Sequence, residues 1–322
     1  MSAARHDVVS IVPKGQIGFG LHLPIAAQSL SFSQGWEGEC GPAEMRRIAE
    51  NADRLGYFYL AVSDHVAVPR ELTERMSTIW YDTVATLAWC AAATKQIRLM
   101  SYVAILPYRH PLDSAKAYST VDALSGGRLI LGVGTGHAKA EFDALGVDFK
   151  RRGKLLDESI DAIAEAFREE YPSHEGPAFK FSDVGMKPRP VQRPRPPIWV
   201  GGSSKAAIRR AAERGDGWLP QGPPEMGMAG AIEMLRGHRA ETRGDAPIEI
   251  GQNSPWMYVG KPTWDLPEGS ISGSGEELAE PLRAAKALGV NHMGVRLRAR
   301  SVHEQVDQLE LFMREVAPLV NA

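Results

Sequence analysis

The feature that most constrains this chain is a rhythm. A short apolar run is followed by a longer amphipathic one, and the pair recurs eight times between residues 17 and 317. Ile17-Gly18-Phe19-Gly20-Leu21 is the first apolar run. Residues 42–55 then place Met45, Ile48, Ala49, Ala52 and Leu55 on one helical face and Arg46, Arg47, Glu50 and Arg54 on another, and Gly56 stops them. Phe58-Tyr59-Leu60-Ala61-Val62 is the second run, ending in Ser63-Asp64-His65. Further strands fit at 97–106, 128–133, 197–201, 216–219, 247–254 and 292–297. Helical periods fit at 81–94, 112–124, 154–169, 203–213, 225–242, 276–288 and 302–317. Strands that alternate with helices form a parallel sheet buried on both faces. Eight repeats in 322 residues predict a closed (β/α)8 TIM barrel rather than an open doubly wound sheet.

Residues 1–15 read as a flexible tail and 16–322 as one barrel domain. The rhythm breaks only at 171–197, a polar stretch followed by Pro188, Pro190, Pro194, Pro196 and Pro197. Such a segment cannot be helical. It reads as an insertion at the barrel rim, with room for a small hairpin.

Composition removes several function classes. Lys and Arg number 37 against 39 Asp and Glu, for a formal charge of -2, and no basic stretch is interleaved with aromatics. A nucleic-acid partner is therefore not expected. Cys40 and Cys90 are the only cysteines, too few for a disulfide framework or a four-thiolate zinc site. No apolar run is long enough to span a membrane, and Val8–Val12 is too short for a signal-peptide core. A cytoplasmic protein acting on a small molecule, with no membrane partner, is the expectation.

Barrel active sites lie at the C-terminal ends of the strands. The residues there are His22, Asp64 with His65, and Ala104 to Pro107. Gly134-Thr135-Gly136-His137, Gly201-Gly202-Ser203-Ser204, and Gln221 with Gly222 follow. Trp256 and Tyr258, then Arg296 and Arg298, end the set. Gly201–Ala207 puts two glycines before a helix with serine at its cap, which suits a phosphate; a plain glycine turn with a serine cap is the alternative. Gly132-Val133-Gly134-Thr135-Gly136 lacks the third glycine of the dinucleotide fingerprint, where His137 stands, and reads instead as a flat strip for a planar ring. No histidine pair has metal-ligand spacing and no Gly-x-Ser-x-Gly elbow exists, so neither a metal nor a serine triad is expected. His110, before Pro111, reads as a local turn contact and His292 as a core histidine. Trp36, Trp80, Trp256 and Trp264 lie in expected loops that suit an apolar pocket.

Ser63-Asp64-His65, Leu106-Pro107-Tyr108-Arg109-His110-Pro111 and the block from Leu124 to Gly136 resemble the bacterial luciferase-like monooxygenase superfamily. Glu141–Gly146, Arg152-Gly153, Ile198–Ser204 and Gly215–Trp218 extend the resemblance, which is strongest to the F420-dependent oxidoreductase branch. It implies a (β/α)8 barrel of the luciferase-like type, a deazaflavin or flavin on the third and fourth strands, and a homodimer. It further implies a strand bulge with a non-prolyl cis peptide near Ser101-Tyr102, so Ser101, Tyr102 and Ala104 join Gly134, Thr135 and Gly136 as cofactor-binding residues. Asp64 matches the ring contact and His65 the neighbouring proton-handling residue. Gly201, Gly202, Ser203 and Ser204, with Ala206 and Ala207, match the phosphate segment. His137 stands where the family's sugar-phosphate dehydrogenases carry a glutamate, so that activity is not carried over; His137 is an acid/base candidate or a pocket wall. The implied function is hydride transfer between coenzyme F420 and a small organic substrate. The alternatives are an FMN-dependent monooxygenase using reduced flavin and oxygen, and a cofactor-binding protein without turnover.

Overall fold

The computed structural model describes residues 9–30 and 32–322. Its strands are β1 (Gly18–His22), β2 (Tyr59–Val62), β3 (Arg98–Ser101), β4 (Ala104–Ile105), β5 (Leu129–Gly134), β6 (His174–Glu175), β7 (Lys180–Phe181), β8 (Ile198–Gly201), β9 (Gly217–Leu219), β10 (Glu249–Val259), β11 (Ser270–Gly273) and β12 (His292–Leu297). The chain forms two compact units. A terminal unit takes Val12–Met100 and Ile250–Ala322; a central unit takes Ser101–Glu249 with the described residues before Val12. Among the described residues no helix is long and apolar enough to cross a membrane.

In the terminal unit the strands run in the order β11, β10, β12, β1, β2, β3, and the first five are parallel neighbours. Gly20 pairs with Tyr59, and a Cβ on Gly20 would lie 2.3 Å from the Tyr59 ring. A Cβ on Gly251 would lie 2.2 Å from the His292 imidazole. The two missing side chains make room for Tyr59 and His292, which meet edge-on at 6.1 Å. His292 is buried, as a core histidine should be. Helix Pro42–Arg54 buries Met45, Ile48, Ala49 and Ala52, the face its sequence period marks. Gly56, at φ 82°, turns the chain into β2. From that helix the Asp53 carboxylate accepts the amides of Lys95, Gln96 and Ile97, fixing the entry to β3.

In the central unit β4, β5, β8 and β9 are parallel neighbours. The strand expected over 97–106 is two strands, and a cis peptide at Tyr102-Val103 stands between them. That step falls one residue beyond the expected Ser101-Tyr102. The reason is that Ser101 is keyed to β5: its Oγ donates to the Gly132 carbonyl at 2.8 Å, and the Ser101 carbonyl occupies the space beside Gly132. The chain leaves the strand only after that bond is made.

The insertion does contain a hairpin, β6 against β7. Glu158, on helix Arg152–Arg168, accepts the amides of Ala178 and Phe179 at its tip. The buried Asp122 carboxylate accepts Val191 and Gln192 amides from its proline-rich return. That return delivers Arg195, which pairs with Asp216 at 2.5 and 3.1 Å in a fully buried bidentate bridge. Of the tail expected over 1–15, residues 1–8 lie outside the described residues. Val9 donates its amide to Asp216, and Ser10 and Ile11 donate to Glu249.

Candidate active site

The strand ends of the central unit are made of backbone. A Cβ on Gly134 would lie 2.4 Å from Val103 Cγ2, and one on Gly201 would lie 2.7 Å from Val103 Cγ1. A Cβ on Gly132 would lie 2.0 Å from the Ser101 carbonyl oxygen. Gly134 and Gly201, on the neighbouring strands β5 and β8, thus form a floor against which the bulge residue Val103 packs, while Gly132 makes room for the Ser101 carbonyl. Val103 itself is half-buried. Sequence reasoning named its neighbours and missed it; the glycine period across from it was the available signal.

Ser101 and Ala104 are fully buried, and the Tyr102 hydroxyl donates to the Pro220 carbonyl at 3.4 Å. These three form the underside of the bulge. Thr135 and Gly136 are half-buried, and Gly136 takes φ 75°, closing the strip over Ile105 and Phe142. His137, next along, is exposed.

The turn after β8 is held from behind. Gly202, at φ 116°, donates its amide to Leu219 and accepts Trp218 Nε1 at 2.8 Å. Ser203 Oγ donates to the Gly222 carbonyl at 2.6 Å and accepts the Gln221 amide at 3.0 Å. Ser204 Oγ accepts the Ala207 amide and caps helix Lys205–Arg214. Ala207 is buried, whereas Lys205 and Ala206 are exposed in the first turn, where helix amides lack intrahelical acceptors and the dipole favours an anion. The Ser203 hydroxyl proton is spent within the turn, so the donors the turn presents are backbone N–H groups and the Ser204 O–H.

The strand ends of the terminal unit are made of side chains. Asp64 is buried after β2, and Thr83 Oγ1 fixes the strand end by donating to the Ser63 carbonyl at 2.7 Å. His65 meets Trp80 edge-on at 4.4 Å, Trp80 meets Phe32 at 6.0 Å, and Phe32 stacks on His22 at 5.7 Å. An aromatic chain therefore joins the ends of β1 and β2.

His22, Phe32, Gln34, Glu37, Trp256 and Arg296 line one cleft. Burial, helped by the Arg296 charge, lowers the His22 pKa to about 3, so this imidazole is neutral at working pH. Burial raises Glu37 to about 7, against the pull of the Ile25 and Gln34 amides that its oxygens accept. Trp256, expected in a loop, stands in β10, which runs on to Val259. A bulge between Asn253 and Trp256 inserts an extra residue, and Trp256 pairs with Arg296 where the unbroken register would have put Pro255. Trp264 and Tyr258 instead bond Glu304. Among the described residues no group of three or more His, Cys, Asp or Glu side chains is placed to hold a metal ion.

Comparison with known proteins places the chain in a family. The chain matches the luciferase-like monooxygenase family over residues 20–260. It is 31% identical over 215 residues to an uncharacterized protein of Mycobacterium tuberculosis, covering 63% of this chain and 74% of that one. It is 28% identical over 212 residues to the FMNH2-dependent dimethylsulfone monooxygenase of Pseudomonas putida, covering 65% of this chain and 56% of that one. The coenzyme F420-dependent tetrahydromethanopterin reductase of Methanopyrus kandleri superposes with a TM-score of 0.72 at 18% identity, over 94% of this chain and 99% of that one. The fold is the (β/α)8 barrel of the luciferase-like type. Matched over well more than half its length, the chain belongs to the luciferase-like monooxygenase family.

Proposed function

We propose that this protein is an oxidoreductase that seats a flavin-type ring on its central unit, coenzyme F420 in the first reading, and exchanges a hydride with a small organic substrate. The observation that carries the proposal is the glycine floor. Side chains at Gly134 or Gly201 would displace Val103, so the two glycines let the bulge residue lie close against the strand ends. A low, close-packed bulge of this kind suits the face of a planar ring. The exposed first-turn amides of Lys205 and Ala206 take the cofactor phosphate.

Bound deazaflavin supplies the two-electron chemistry. The chain supplies position and a proton route. The imidazole of His65, at the end of β2, carries the proton that accompanies the hydride. Asp64 is the ring contact of this reading, and His137, exposed at the end of the glycine strip, is the second acid/base candidate.

The likeness to the dimethylsulfone enzyme favours a second reading, an FMN-dependent monooxygenase using reduced flavin and oxygen. Titration with F420 and separately with FMN, followed by fluorescence, separates the two. Saturable F420 binding with FMN ignored supports the first reading, and the reverse supports the second. Binding of neither overturns both. His65→Ala should lower turnover by about 100-fold or more while leaving cofactor affinity unchanged; unaltered turnover removes His65 from the mechanism.

A further inference from the structure

We propose that the cleft of the terminal unit binds a small organic carboxylate, gripping its charge with Arg296 and its apolar body against Trp256 and Phe32. The cleft stands on this unit's own geometry; taking the bound acid as the substrate rests on the oxidoreductase reading above.

The β10 bulge is the first support. It turns Trp256 onto the face of the sheet that carries Arg296, and the guanidinium lies 6.0 Å from the indole centroid. Arg298, just beyond the end of β12, stacks on that indole at 4.0 Å. Its Nε donates to Ser270 Oγ at 2.9 Å. Two cations therefore flank one indole. Each is felt by its neighbours as a positive charge: Arg298 is lowered by burial and then by Arg296, and Arg296 helps to hold His22 neutral.

The acidic wall residue does not offset them. Glu37 turns one oxygen to the Gln34 amide and the other to the Ile25 amide, each at 2.8 Å, and burial raises its pKa to about 7. Ile25 takes φ 75°, a left-handed conformation that a β-branched residue rarely adopts, so the surrounding loop is held in a shape it would not choose alone. Guanidinium groups hold planar carboxylates through paired N–H donors, and the stacked Arg298 still directs its donors along its edge. The remaining walls, Leu21, Leu23 and Val295 among them, suit a hydrocarbon body.

Calorimetric titration of the full chain without added cofactor tests this. The probes are butyrate against butyramide and benzoate against benzamide, two acid–amide pairs of equal shape and different charge. At least one acid should bind tenfold or more tighter than its own amide. Arg296→Met should abolish that preference, Arg296→Lys should keep part of it, and Arg298→Met should weaken it threefold or more. Equal binding of acid and amide, or binding of neither acid, overturns the proposal. So does displacement of the better acid by inorganic phosphate at a lower concentration than the acid itself requires, which would reassign the cleft to a phosphate-bearing group. The acid–amide comparison is made on the unaltered protein and does not depend on any variant folding. A negative result here leaves the F420 and FMN titrations standing, and failure of those titrations leaves this one readable.

Discussion

The two units end their strands in opposite materials. In the central unit β5 and β8 finish on Gly132, Gly134 and Gly201, and the polar side chains nearby turn away: Ser101 to the Gly132 carbonyl, Ser203 to Gly222, Tyr102 to Pro220. In the terminal unit His22 at the end of β1, Trp256 in β10 beyond its bulge and Arg296 near the end of β12 line a cleft together. A surface made of backbone is flat and insensitive to rotamers, so it suits a ring that every catalytic cycle must present in one orientation. A surface made of side chains is shaped and charged, and can change by substitution without disturbing the strands beneath. The two kinds of strand end therefore respond differently to substitution.

The largest expected effect tests where the central unit keeps its charges. Asp216→Ala leaves Arg195 buried without its bidentate partner and strips an acceptor from the Ile198 and Val9 amides. Breaking a buried pair on one side costs about 3–5 kcal/mol. Arg296→Met, in the cleft, should cost about 1 kcal/mol or less, because a half-buried group facing a ligand surface supports little packing. Urea unfolding of both variants measures the contrast. Comparable losses would show that the cleft side chains are structural after all.

A smaller effect sharpens the contrast at the strand ends. Gly134→Ala pushes a methyl into Val103, and overpacking of this kind costs about 1–3 kcal/mol. It should also weaken cofactor binding tenfold or more, because Val103 is driven out of the floor. Trp256→Phe in the terminal unit should leave cofactor affinity within about twofold, the ring's seat being elsewhere. Equal losses from both substitutions would mean that the units do not divide the work as described.

What the sequence made legible follows the same line. The periods that drew helix Pro42–Arg54, β1, β12 and the hairpin-bearing insertion are local, and they appear where the spacing put them. The glycine strip is equally local. Gly134 could be read as part of a flat strip, and Gly201 as part of a phosphate turn, without knowing that Val103 fills the space above them. The terminal cleft is different. The run at 247–254 gives no sign that a bulge continues β10 to Val259 and re-aims Trp256, because a bulge depends on pairing with β12. Glu37 sits in Gly-Trp-Glu-Gly-Glu, which reads as a solvated loop, yet it is 3% exposed because two amides needed its oxygens. Serine hydroxyls at strand ends invite a ligand role, but Ser101 and Ser203 satisfy backbone groups of their own chain, the commoner use of such residues.

The smallest effect concerns charge, and it lies wholly within the terminal unit. His22 is held at about 3 against an ordinary 6.5, so below pH 6.5 the unfolded chain takes a proton that the folded chain refuses. Stability from this group falls as pH drops from 6.5 toward 3. Glu37 is held at about 7 against an ordinary 4.5, so between those values the folded chain keeps a proton that the unfolded chain has shed. Stability from this group is present below pH 4.5 and is lost as pH rises through 7. Between pH 4.5 and 6.5 the two slopes oppose each other, and the unaltered protein should show little change in urea midpoint from these groups. Glu37→Gln removes one slope and exposes the other, so that variant should lose on the order of 1 kcal/mol between pH 6.5 and pH 5. His22→Gln should do the reverse and gain stability toward pH 5. Arg296→Met relieves the smaller part of the pressure on His22 and should end its limb at a higher pH, which ties the titration to the same cation that the acid probes read. Parallel pH profiles in all four proteins would remove His22 and Glu37 as an opposed pair and leave the cleft's charge resting on the arginines alone.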